Sequence, residues 1–322
     1  MSPHAAHTVA ALAGPVLDPV VDLRRMLALH FMVNAFRAGT IVAVLAAVVG
    51  WLMVLRRQSF AGHTLAVVSF PGAAAAIWLG VSATAGYFAG SIVAALVIAL
   101  VPRSAAGRPG SQESAVIGTV QAFALACGAL FVSLYGGFLD GITGLLFGSF
   151  LGVSDGQVLA LGAVAVAVLV VLAAIGRPLL FATVDGPVAA ARGVPTRALS
   201  VAFLLLLGCT AAEVSQVTGA LLVFALLVMP AAAAQQLTAR PVVGLALAVG
   251  FGLVVVWVSL SVAFWSPWPV GFWVSTFGFA LYLGAIGWRA ATARYRRRPV
   301  RGTGVAGERV RARALSSGAA GA

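Results

Sequence analysis

Long apolar runs alternate with short polar connectors along almost the whole chain, and charge rarely enters the runs. The runs cover Ala38 to Leu55, His63 to Val81, Thr84 to Val101, Ala115 to Leu134, Val158 to Ile175, Leu199 to Ala212, Val217 to Ala234, Val242 to Phe264 and Phe272 to Trp288. Most approach the roughly 20 residues that an α-helix needs to cross the hydrocarbon core of a bilayer. A further apolar piece, Leu145 to Val153, sits in a glycine-rich stretch from Tyr135 to Gln157 and is too short to span. The pattern predicts an all-α fold: a polytopic transmembrane helical bundle of about nine spans plus a short re-entrant or external helix. Pro71-Gly72 falls inside the second run and is expected to break that span, because proline removes a backbone donor and clashes with the preceding turn.

Composition sharpens this picture. The 322 residues are 61% hydrophobic and 9% charged, against about 25% charged in ordinary soluble domains. No stretch remains for a separate soluble catalytic domain, so the chain reads as a transport subunit of the cytoplasmic membrane, not an enzyme. The net charge of +12 comes from arginine alone, since lysine is absent. A nucleic-acid-binding tail is one reading of the basic C-terminus. Cytoplasmic loops obeying the positive-inside rule are the simpler one, and no nucleic-acid partner is expected. Nine spans, with the N-terminus outside, place Arg56, Arg57, Arg103, Arg108, Arg177, Arg192, Arg197, Arg240 and the tail inside. Arg24, Arg25 and Arg37 then face outward, and an interfacial amphipathic helix over about Val20 to Phe36 accommodates them. The chain divides into an N-terminal segment (1–37), a transmembrane domain (38–289) and a basic tail (290–322), which is expected to be disordered. Cys127 and Cys209 lie inside apolar runs without C-x-x-C spacing, so neither a disulfide framework nor a zinc finger is indicated. Without lysine there is no ordinary Walker A motif. The chain binds no cofactor of its own, and ATP is used by a partner subunit if transport is ATP-driven.

Polar residues within spans are costly in a bilayer and so mark function. His63 is the only histidine in the apolar body; it is read either as a metal ligand or as an interfacial histidine bonded to a neighbouring helix. Pro71 and Gly72 either line the transport path, as broken helices do, or form a packing kink. Asp140, Asp155 and Glu213 fall near the external helix ends. Asp155 reads as a solvated end, whereas Glu213, with Gln216 beside it, lies between two runs and is the better candidate for the path. Gly86-x-x-x-Gly90 and Gly144-x-x-x-Gly148 suit close helix packing. The connector Asp185-Gly186-Pro187-Val188-Ala189-Ala190-Ala191-Arg192-Gly193 predicts a short cytoplasmic helix ended by glycine, which is either a surface for another protein or a plain loop.

Four stretches in order resemble the membrane permeases of zinc/manganese-type ATP-binding cassette importers, over roughly Ala35 to Trp288. They are Gly50 to Arg57 followed by Ser59-x-x-Gly62 and Phe70-Pro71-Gly72; Leu146-Phe147-Gly148-Ser149-Phe150-Leu151-Gly152-Val153-Ser154; Asp185 to Gly193; and Gly219-Ala220-Leu221-Leu222-Val223-Phe224-Ala225-Leu226-Leu227-Val228-Met229-Pro230-Ala231-Ala232-Ala233-Ala234. The resemblance implies a type II importer-like bundle that works as a homodimer with a second permease copy. It also implies cytoplasmic ATP-binding subunits and an extracellular solute-binding protein that delivers the ion. Asp185, Ala189, Ala190, Arg192 and Gly193 would then belong to a coupling helix that seats on the ATPase. The family carries an acidic residue and a histidine four apart in the second span; here those positions are His63 and Val67. Losing the carboxylate removes hard oxygen character, so zinc is expected over manganese as cargo. A permease for a metal chelate or other small solute, or a stand-alone secondary transporter, are the rival readings.

Overall fold

A computed structural model describes residues 24–100, 111–134, 144–148, 150–220 and 222–296. Arg103, Arg108, Asp140, most of the N-terminal segment and the tail from residue 297 lie outside them. The described residues are helical: α1 (His30–Leu55), α2 (Ser59–Trp78), α3 (Ala83–Leu100), α4 (Ser111–Leu134), α5 (Asp155–Val184), α6 (Gly186–Ala191), α7 (Thr196–Thr218), α8 (Val223–Leu237), α9 (Pro241–Trp265) and α10 (Val270–Arg296). Eight of these are long and apolar enough to cross a membrane, and α8 is a shorter apolar helix. Together they occupy the nine apolar runs, and the chain is a multi-pass membrane protein.

Several boundaries differ from the hydropathy pattern, each for a physical reason. α1 starts at His30, so Arg37 stands exposed on the first span itself. Apolar neighbours on its buried side, Ala35 and Ala38, hold that turn in the helix. α10 continues past Trp288 to Arg296, into what was assigned to the tail. The sixth run does not stop at Ala212: α7 passes through Glu213 and Gln216 to Thr218. The chain turns at Gly219 (φ +80°), which packs against the turn at Gly148 (φ +75°). The Leu145–Val153 piece forms a helical turn at 144–147 and a 3-10 turn, Phe150–Gly152. Proline does not break α2. Pro71 sits inside a continuous helix, as do Pro178 in α5 and Pro230 in α8. Only one ladder bond is lost at such a site, and packing from the neighbouring helices outweighs it.

Side-chain bonds show which helix ends share a side. At one end the Arg56 guanidinium donates to Thr183 Oγ1 of α5 (2.9 Å) and Ser200 Oγ of α7 (3.0 Å). Gln235 Nε2 of α8 donates to the Trp51 carbonyl (2.9 Å), and Arg289 of α10 donates to Gln236. Arg57, Arg192, Arg197 and Arg240 flank these same helix ends, which makes this the cytoplasmic end by the positive-inside rule. At the opposite end His30 Nε2 lies 2.9 Å from Asp155 Oδ2, Asn34 Nδ2 donates to the Val153 carbonyl (3.3 Å), and the Tyr87 hydroxyl donates to the Leu145 carbonyl (2.9 Å). Lipid tails are as apolar as leucine, so helices associate in a bilayer through close packing and buried polar bonds. The α2–α3 seam illustrates this: a β-carbon on Gly86 would overlap the Gly72 carbonyl, and one on Gly72 would sit 2.8 Å from the Gly90 α-carbon.

Candidate transport path and coupling helix

α2 carries His63 one turn inside its cytoplasmic start. The imidazole is half-buried and packs edge-on against Phe224 of α8, with ring centroids 5.1 Å apart. Val67, one turn further along the same face, is buried. Among the described residues no group of three or more histidine, cysteine or acidic side chains stands together as a metal cage. His63 therefore offers a single imidazole from one copy of the chain.

A polar seam crosses the centre of the bundle next to it. Thr64 Oγ1 donates to Gln121 Oε1 of α4 (2.8 Å), and the Ser69 and Ser215 hydroxyls, on α2 and α7, are 2.8 Å apart. Thr64, Ser69 and Ser215 are wholly buried. Sequence reasoning passed over these residues, although hydroxyls within apolar runs are a readable signal of interhelical bonds.

Pro71 and Gly72 face a different space. They line a cavity of about 660 Å³ between α2, α3 and α4, whose walls include Val68, Ala89, Val93, Phe123 and Phe131 and, among the described residues, carry no charged side chain. Apart from the Cys127 thiol, such a surface offers an ion no side-chain ligand.

Glu213 and Gln216 face a third. The hydropathy pattern predicts Glu213 between two runs near the external helix ends; it lies instead within α7 and is completely buried. The helix continues there because Ala211, Ala212 and Val214 around it are also fully buried and fix the turn by packing. Spacing of three puts Glu213 and Gln216 on one helix face. They line a cavity of about 120 Å³ with residues of α3 and α5, including Thr84, Phe88, Gln157 and Leu161. No α2 residue borders it, so the expected path residues divide between separate environments. Asp155 is exposed at the start of α5, bonded to His30.

The connector after α5 forms the six-residue helix α6. Asp185 caps it, its Oδ1 accepting the Val188 N–H (3.1 Å), and Pro187 occupies the first turn, where its missing donor costs nothing. Gly193, at φ +79°, ends it in the left-handed region. Asp185, Ala190, Arg192 and Gly193 are exposed, whereas Ala189 is turned inward and fully buried. The result is an exposed, capped helix at the cytoplasmic end, anchored through the buried Ala189.

The ABC 3 transport family matches residues 28–288. A manganese transport system membrane protein of Halalkalibacterium halodurans is 28% identical over 71% of this chain and 77% of its own. A chelated iron transport system membrane protein of Yersinia pestis is 34% identical over 66% of this chain and 70% of its own. Among solved structures, a chain of PsaBC from Streptococcus pneumoniae in complex with Fab superposes with a TM-score of 0.74 at 22% identity, covering 83% of this chain and 95% of that one. This last likeness concerns the fold.

Proposed function

The chain belongs to the ABC 3 transport family, and we propose that it is the membrane-spanning subunit of an ATP-driven importer for zinc. It is a transport subunit and not an enzyme. The observation that carries the coupling role is α6, the exposed helix capped by Asp185 at the arginine-rich end. A chain without lysine has no Walker A site, so force must enter from cytoplasmic ATP-binding subunits, and α6 is the element shaped to receive it. Ala190, Arg192 and Gly193 form the contact, while buried Ala189 transmits the push to the bundle.

The cargo passes beside His63. One imidazole is too little to hold a metal, but a second permease copy brings a second His63, and an extracellular binding protein delivers the ion to the outer end. Nitrogen ligands without a carboxylate suit zinc better than manganese. Manganese is the competing reading, favoured by the likeness to the manganese transport system membrane protein of Halalkalibacterium halodurans. Pro71 and Gly72 serve the α2–α3–α4 packing seam, since their cavity is apolar.

The test is uptake by cells lacking their own zinc and manganese importers, supplied with this chain, its ATPase and its binding protein. Zinc accumulation that depends on ATP and exceeds manganese accumulation supports the reading. Manganese uptake that zinc does not compete would replace the cargo, and no uptake of either metal would overturn the metal assignment.

A further inference from the structure

We propose that the cup between α3, α5 and α7 is a binding site for a small monovalent cation of sodium's class, held by the Glu213 carboxylate. The starting point is an imbalance. Glu213 is completely buried, and neither carboxylate oxygen has a hydrogen-bond partner among the described residues. A lone ionised carboxylate within a membrane protein is costly and must be neutralised or paired. Yet Glu213 is among the residues that line a cavity of about 120 Å³, a volume that holds an ion and a few waters.

The lining supplies oxygen. Thr84, on the first turn of α3, offers a hydroxyl, and Gln157, on the first turn of α5, offers an amide oxygen that also accepts the Ser154 N–H (2.9 Å). Gln216 turns its amide nitrogen back to the Ala212 carbonyl (3.4 Å), which leaves its oxygen as an acceptor. Among the described residues no histidine or cysteine lines the cup. An all-oxygen set selects hard cations, and a single carboxylate balances a single positive charge; a divalent ion would leave net charge in a low-dielectric site.

The placement allows entry from outside. Thr84 and Gln157 are exposed at the end of the bundle opposite the arginines, and the wholly buried Glu213 lines the same cavity. No residue of α2 takes part, so the site is separate from His63, and the proposal does not rest on the identity of the cargo.

The experiment is thermal unfolding of the full-length chain in detergent, titrated with sodium chloride against N-methyl-D-glucamine chloride at matched ionic strength. The wild-type midpoint is expected to rise by several degrees, saturably, with sodium alone, and Glu213→Gln is expected to lose that response. A wild-type chain indifferent to sodium would mean that Glu213 is held as the neutral acid, and would overturn the proposal. So would an undiminished response in Glu213→Gln. If that variant does not yield folded protein, Thr84→Val, which removes one oxygen at the exposed mouth, is expected to raise the half-maximal sodium concentration several-fold; an unchanged value refutes the site.

Discussion

Gly50 of α1 lies directly against the main chain of Leu227 in α8, so closely that a β-carbon at position 50 would overlap the Leu227 carbonyl oxygen. The obstacle is backbone, which cannot swing aside as a flexible side-chain tip can. Gly50→Ala is therefore expected to force the helices apart and to cost about 1–3 kcal/mol, the usual range for overpacking. Thermal unfolding in detergent measures it, and a midpoint equal to wild type would show that α8 shifts freely.

Arg56 ties three helices at the cytoplasmic end. Its guanidinium lies 5.2 Å over the Phe203 ring while it donates to Thr183, Ser200 and Gln58. Arg56→Lys keeps the charge but cannot reproduce the planar fork or the stacking. We expect the lysine variant to lose most of the stability that Arg56→Ala loses, about 1–3 kcal/mol for a charged hydrogen-bonded group. Full rescue by lysine would mean that charge alone matters there.

In α6, Asp185→Ala removes the acceptor for the Val188 N–H, and loss of an N-cap costs about 1 kcal/mol. α6 should fray, and the yield of co-purified ATPase should fall several-fold. Asp185→Asn, which still caps, should retain most of it. Equal ATPase recovery with all three sequences would remove α6 from the interface.

His63→Ala should leave ATPase association intact, because the ring lies inside the bundle against Phe224, and should lower metal uptake at least tenfold. Metal accumulation at the wild-type rate would exclude the imidazole as a ligand. His63→Gln, which keeps polarity but binds metal poorly, distinguishes ligation from simple hydration of the path: it should fail like alanine.

Much of the fold was legible because apolar runs of membrane length admit few structures. In lipid every backbone group must be satisfied within its own segment, so nine runs became nine apolar helices, with α8 the one too short to count as a full span. The short helix after α5 was equally readable, since Asp185 and Gly193 are terminators that act locally. Glu213 was misplaced because hydropathy treats a carboxylate as a sign of a loop, whereas burial of Ala211, Ala212 and Val214 carries the helix through it. Pro71 was misjudged similarly: proline weakens an isolated helix, but α3 and α4 pack against this one on both sides of it.

What the chain determines by itself is therefore whatever depends on neighbours in sequence and on the solvent: the class, the number of apolar helices, the sidedness set by arginine, and the absence of an ATPase motif. Tertiary structure alone decided how the polar residues group. His63 meets Phe224, Ser69 meets Ser215, and Glu213 with Gln216 closes a cup against α3 and α5, apart from α2. The reason is rotational. Each α-helical residue turns by about 100°, so a span's apolar composition says that it crosses the bilayer but leaves open which neighbour each polar side chain will face. Packing between helices, such as that of Gly50 on Leu227 and Gly72 on Gly90, sets those angles.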